Sequence, residues 1–155
     1  MGAIQTLLAA ACVSLLAGPV VAQDQAAPAA SPYAGADSCK TCHQAIYDSW
    51  ANTKHAKAIN ALAAPDREGD KCIGCHVTGT PQQIAAEGAK PSLPNVQCES
   101  CHGPGAAHAA DAKVMTGLVR KPGESSCTSC HNDKSPHFRG FVFVAMKGFV
   151  HPVKK

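Results

Sequence analysis

The sequence predicts a mainly α-helical chain with little regular secondary structure, in which short helices are joined by long loops. Three observations predict it. A Cys-x-x-Cys-His pattern recurs four times, and each copy reads as the start of a short helix. The stretches between copies, such as Asp66 to Asp70 and Gly88 to Pro94, read as irregular connections. The side-chain core is also thin. Although 45% of the 155 residues are hydrophobic, only 5% are aromatic and there is one Trp. Part of that apolar fraction lies in an N-terminal stretch expected to be removed, so something other than side chains must supply apolar mass to a domain of this size.

Residues 1–22 read as a secretory signal peptide. Ile4 to Ala17 is an apolar run with no charge, Gly18-Pro19 breaks it, and Ala22 offers a small residue for cleavage before Gln23. The run is shorter than the roughly 20 residues of a membrane-spanning helix. Cys12 is a poor match to a lipoprotein site. Residues 23–32, rich in Ala, Gln and Pro, read as a flexible linker. One domain, 33–155, remains, and export places it in the periplasm with no membrane required. The formal charge of +3 gives no argument for nucleic acid, and no nucleic-acid partner is expected. No phosphate loop, nucleotide motif or hydrolytic triad is present. Lys147, Lys154 and Lys155 read as a solvated basic tail.

Of nine cysteines, one lies in the signal and the other eight form the four motifs: Cys39-Lys40-Thr41-Cys42-His43, Cys72-Ile73-Gly74-Cys75-His76, Cys98-Glu99-Ser100-Cys101-His102 and Cys127-Thr128-Ser129-Cys130-His131. This is the attachment pattern of c-type haem. Two thiols add across the two vinyl groups on one haem edge, and the next residue sets an imidazole on the iron. A disulfide framework or paired zinc knuckles would account for eight cysteines. Neither requires a histidine after every second one, and neither explains why no mature cysteine lies outside the motifs. The prediction is four haem c groups, held by Cys39, Cys42, Cys72, Cys75, Cys98, Cys101, Cys127 and Cys130, with His43, His76, His102 and His131 as proximal ligands. The chain is expected to wrap around the four haems, which replace the missing core.

Four histidines lie outside the motifs: His55, His108, His137 and His151. Cys42 to Ala63 reads as one helix with Ala45, Ile46, Trp50, His55 and Ile59 at helical spacing. On it, His55 stands roughly 18 Å along the axis from His43, so both cannot bind opposite faces of one iron. His108 and His137 each follow a proximal histidine by six residues, too short a tether to pass around a macrocycle. His151 follows His131 by twenty, and is the candidate for the fourth haem. His55, His108 and His151 are the distal candidates, with His137 as a further one.

The residues around the motifs resemble the tetrahaem cytochrome c-554 family. The resemblance runs through Tyr33 and Gly35, Cys39 to His43, Tyr47, Trp50, Thr53-Lys54-His55-Ala56-Lys57-Ala58, Lys71 to Gly79, and Val96 to Gly105. It implies that His55 serves the third haem with His102, that His108 serves the first with His43, and that His151 serves the fourth with His131. It also implies an open distal side on the second haem, where His76 is the only protein ligand. This chain departs from the family by its shorter C-terminal region and by His137, which leaves His137, Met115 or Met146 as alternatives at that second site.

These features point to an electron carrier between a redox enzyme as donor and a cytochrome as acceptor. In the best-known member of the family the donor is hydroxylamine oxidoreductase. The alternative is an enzyme reducing nitric oxide or another small nitrogen or sulfur species at an open haem on His76. No catalytic side chain is assigned beyond that iron. The expected outcome for the mature protein is a red product that keeps four haems after denaturation and offers no thiol to an alkylating reagent. Mass spectrometry with visible spectroscopy reads both. A colourless product with alkylatable or disulfide-bonded cysteines contradicts the assignment.

Overall fold

The computed structural model describes residues 31–67, 70–87 and 92–151. The signal peptide expected over 1–22, and the linker up to residue 30, lie outside the described residues.

Helix α1 (Ala36–Ala51) contains the whole first motif. Gly35 precedes it with φ 82°, a conformation that costs glycine little. Asp37 in the first turn favours the positive end of the helix dipole. The helix kinks at His43 (φ −119°, ψ 40°), so the first proximal candidate sits at a break in the helix. The single helix expected over Cys42 to Ala63 does not form. Helix α1 stops at Ala51, and a 3-10 segment, His55–Ala61, follows. Thr53 causes the break. Its hydroxyl donates to the Trp50 carbonyl at 2.7 Å, its own N–H donates to the same oxygen at 2.8 Å, and its Oγ1 then accepts from the Ala56 N–H. A short polar side chain that offers the backbone such alternatives competes with a continuous helix.

After a 3-10 turn at Ala64–Arg67, helix α2 (Asp70–His76) is the second motif itself. Helix α3 (Pro81–Glu87) follows within the stretch where sequence reading placed no element. Thr80 and Gln83 form a reciprocal cap: the Gln83 N–H donates to Thr80 Oγ1 at 3.2 Å, and the Thr80 N–H donates to Gln83 Oε1 at 3.0 Å. With Pro81 at the first helical position, Thr80-Pro81-Gln82-Gln83 is a capping box written in the sequence. Helix α4 (Cys98–His102) is the third motif, α5 (Ala106–Ala110) carries His108, α6 (Glu124–Thr128) opens the fourth motif, and α7 (Phe143–Met146) runs into a last 3-10 turn, Lys147–Phe149. Among the described residues there are no strands, only an isolated bridge between Val77 and Pro94. None of the described helices is long and apolar enough to cross a membrane.

The core is as thin as the composition predicts. Ile73, Val77 and Ile84 form one buried cluster with Ile59 packed against it, and Ala36 and Trp50 are buried elsewhere. Polar bonds do much of the positioning, centred on Pro94 to Gln97. Trp50 Nε1 donates to the Val96 carbonyl at 3.0 Å, and the Val96 N–H donates to the His55 carbonyl at 3.1 Å. The Ile59 N–H donates to Asn95 Oδ1 at 3.0 Å. Gln97 Oε1 accepts from the Ala36 N–H at 2.6 Å, and the Gln97 N–H donates to Thr78 Oγ1 at 2.9 Å. This short strap ties α1, the His55 segment, the residues after α2 and the start of α4 into one body.

Candidate haem sites

Three pairs of imidazoles face one another across the fold. The rings of His43 and His108 have centroids 6.5 Å apart and lie 18° from parallel. His55 faces His131 at 6.0 Å and 61°. His102 faces His151 at 6.1 Å and 23°. An imidazole nitrogen binds a metal at about 2 Å and its ring centre lies about 1 Å further out, so two imidazoles on opposite sides of one ion have centres about 6 Å apart. The three spacings meet that condition, and in each pair one ring belongs to a motif. The protein therefore fits iron held axially between two histidines. A many-ligand cage does not fit, since no group of three or more His, Cys, Asp or Glu among the described residues could hold a metal ion.

Two pairings differ from those implied by resemblance, and the second also from the tether length that gave His151 to the fourth haem. His55 stands against His131, not His102, and His151 stands against His102, not His131. The break at Thr53 sends His55 out of the line of α1 and toward the fourth motif. The C-terminal segment then turns back through α7 to the third motif, while Phe141 covers the His131 ring at 5.0 Å and 19°. The expectation that His55 and His108 each leave the nearest preceding motif's histidine for another agrees with the geometry. His76 and His137 belong to none of the three ring pairs, and His137 is exposed in the loop after the fourth motif. Met146 is exposed on α7, and Met115 is also exposed.

Backbone carbonyls fix the tautomer of three of these histidines. His76 Nδ1 lies 2.6 Å from the Ala58 oxygen, His102 Nδ1 2.7 Å from that of Val119, and His108 Nδ1 3.0 Å from that of Val114. A carbonyl only accepts, so Nδ1 carries the proton and Nε2 keeps its lone pair for a metal, the usual outer support of a ligating histidine. His76 is prepared in this way although no ring faces it. Burial, with help from neighbouring His131, lowers the pKa of His55, which favours the neutral form that binds metals.

The thiols gather across motifs. Cys39 and Cys98 share a hydrogen bond that raises the pKa of Cys39 and lowers that of Cys98. Burial, followed by the nearby Cys130, pushes Cys75 up to about 11. Burial also pushes Cys101 up to about 11, with Cys127 and Cys130 adding to it. The first and third motifs thus abut through their sulfurs, as do the second and fourth. One cavity is lined together by Cys98, Cys101, His102 and His151, with Ile46 and Trp50 on its apolar side. The two sulfurs and the histidine of the third motif, His151 and also His55 therefore open on one space.

Sequence reading missed the part played by Glu99. It is 3% exposed, and its carboxylate accepts three backbone N–H bonds, from Ala34 at 2.9 Å, Gly35 at 2.8 Å and Gly105 at 2.7 Å. It clamps the entrance of α1 to the turn after the third motif. That turn is tight: Gly103 has φ 88°, and a Cβ there would collide with the Gly117 carbonyl oxygen. The available signal was an acidic residue at a variable position inside Cys-x-x-Cys, next to Gly103-Pro104-Gly105.

Repeated Cys-x-x-Cys-His segments, each set among helices too short to pack alone, with imidazoles paired at the spacing of one iron, define a multihaem c-type cytochrome. Comparison with known proteins places it further. Residues 38–103 match the family described as cytochrome c554 and c-prime, and residues 92–136 match the doubled CXXCH motif. The chain is 33% identical to cytochrome c-554 of Nitrosomonas europaea over 160 aligned positions, covering 81% of this chain and 66% of that relative. The reduced-state structure of cytochrome c554 from the same organism superposes with a TM-score of 0.54 at 26% identity, covering 77% of this chain and 78% of that one. The chain belongs to the cytochrome c554 family.

Replacing Glu99 with Ala strands three buried N–H groups and is expected to cost about 3 kcal/mol. The measurement is the thermal midpoint of the haem-loaded protein. An unchanged midpoint would remove Glu99 from the clamp.

Proposed function

We propose that the mature protein is a periplasmic electron carrier with four haem c groups, taking electrons from a redox enzyme and passing them to an acceptor cytochrome. The three imidazole pairs carry this reading. Haem held between two histidines supplies a one-electron iron couple, at lower potential than haem with a methionine ligand. The residues do the rest. His43 with His108, His102 with His151, and His131 with His55 would each hold one iron from two sides, which would leave substrate no place at those three sites. Each pair joins segments distant in the chain, which stiffens the fold and limits reorganisation when the charge changes. Cys39 lies beside Cys98 and Cys75 beside Cys130, so neighbouring attachment edges would be close, which favours fast passage between sites.

One observation favours a second activity at the second motif. His76 is oriented by Ala58 yet faces no other histidine, so a small nitrogen or sulfur species would have access to its iron. A substrate-converting site also needs a polar donor or base aimed at the reacting atom. Nothing in the described geometry supplies one, so we place carriage of electrons first.

Two substitutions test the ligand assignment. His151→Ala is expected to convert one low-spin ferric haem to high-spin, read by electron paramagnetic resonance, and His137→Ala is expected to convert none. A low-spin haem lost in His137→Ala, with none lost in His151→Ala, would exchange their roles. Electron carriage itself is tested by potentiometric titration: all haems should cycle reversibly, with no consumption of nitric oxide beyond stoichiometric binding.

A further inference from the structure

The C-terminal segment does more than deliver His151. Of the 14 Lys and Arg, five lie in residues 134–155 (Lys134, Arg139, Lys147, Lys154 and Lys155), and none of the 11 Asp and Glu does. The preceding 133 residues carry nine basic against eleven acidic side chains. The positive charge is therefore collected in one segment of a chain that is otherwise slightly acidic.

The same segment carries large apolar side chains that the rest of the protein leaves uncovered. Val142 is 60% exposed, Val144 74% and Phe149 71%. Single exposed apolar residues are ordinary, but these fall within eight positions, beside exposed Lys147 and close after exposed Arg139. An apolar centre with a charged rim is the anatomy of an interface. Its place in the fold gives it a purpose. Phe141, just before it, stacks on the ring of His131, and His151, just after it, faces His102. A partner seated here stands over two of the three paired-histidine sites.

We propose that the face formed by Arg139 to Phe149 docks an acidic redox protein, whose carboxylates meet Arg139 and Lys147 around the apolar contact of Val144 and Phe149, and that electrons cross there to or from the third and fourth motifs. The proposal rests on the carrier reading above. A second copy of this chain is the poorer occupant, because a two-fold contact would set the same cations against themselves. Opposite charge also suits a carrier, since it speeds encounter more than it tightens the complex.

The test uses the mature haem-loaded protein and two donors: reduced flavodoxin, a small acidic protein, and duroquinol, a small neutral molecule. At low ionic strength the double variant Arg139→Glu/Lys147→Glu should be reduced by flavodoxin about ten-fold more slowly than the wild type. Salt should bring the two together, and duroquinol should reduce both at the same rate. Val144→Ser/Phe149→Ser should slow the flavodoxin reaction while keeping its salt dependence. Equal flavodoxin rates in wild type and variants would overturn the proposal. So would a wild-type dimer that the variants dissociate, a low-spin haem lost in either variant, or tighter binding to anionic phosphatidylserine vesicles than to flavodoxin. Reduction by duroquinol with no flavodoxin reaction would sink the docking face alone, whereas a wild type that neither donor reduces would sink the carrier reading beneath it.

Discussion

Three pairs of imidazoles from segments far apart in the sequence stand at the spacing that one iron between them would require. That requirement organises the molecule. His108 reaches back to the first motif, His55 reaches forward to the fourth, and His151 returns to the third. Each pair closes a long loop at a single point, and long loops cost only slowly more entropy to close as they lengthen. A few strong cross-links through iron would therefore do what a large apolar core does elsewhere. Such links suit a chain whose described residues bury so few side chains.

Between those cross-links the protein relies on hydrogen bonds of high sequence separation. Gln97 and Glu99 flank Cys98, the first cysteine of the third motif, and between them they hold the entrance to α1. Trp50 and His55 bond to the Val96 backbone two residues before the same motif. The third motif is thus the hub: its flanks bind the first motif's helix, its sulfurs meet those of the first motif, and its histidine receives the C-terminal segment. Glu99 is buried as a carboxylate because three N–H donors replace the water it gives up, the condition under which burying such a group is tolerable.

Much of this was legible in the sequence, and the reasons are specific. Covalent attachment demands fixed spacing, so the four motifs could be read one residue at a time and the proximal histidines proposed from them. The short-helix, loop-rich fold followed from the thin core those motifs replace. The helix whose spacing was to keep His55 from sharing an iron with His43 ends at Ala51, yet the two rings do face different partners. Spacing alone could not say which of the pairings forms. That choice depends on where the chain turns after Thr53 and after Phe141, and those turns depend on contacts with residues outside each turn, Val96 and His131. Helix α3 was missed for another reason: its capping box at Thr80 to Gln83 is a local signal that haem motifs on either side overshadowed. In the sequence, Lys147, Lys154 and Lys155 read as a solvated tail, and the exposed apolar side chains near Lys147 became visible only in the fold.

Three irons held between two histidines each, with a fourth held by His76 alone, is the arrangement we propose. The most direct measurement is electron paramagnetic resonance of the fully oxidised wild-type protein, with the spins integrated. The account predicts three low-spin ferric signals and one high-spin signal, with only the high-spin one shifting when cyanide is added. Four low-spin signals that ignore cyanide, or more than one high-spin signal, would contradict it.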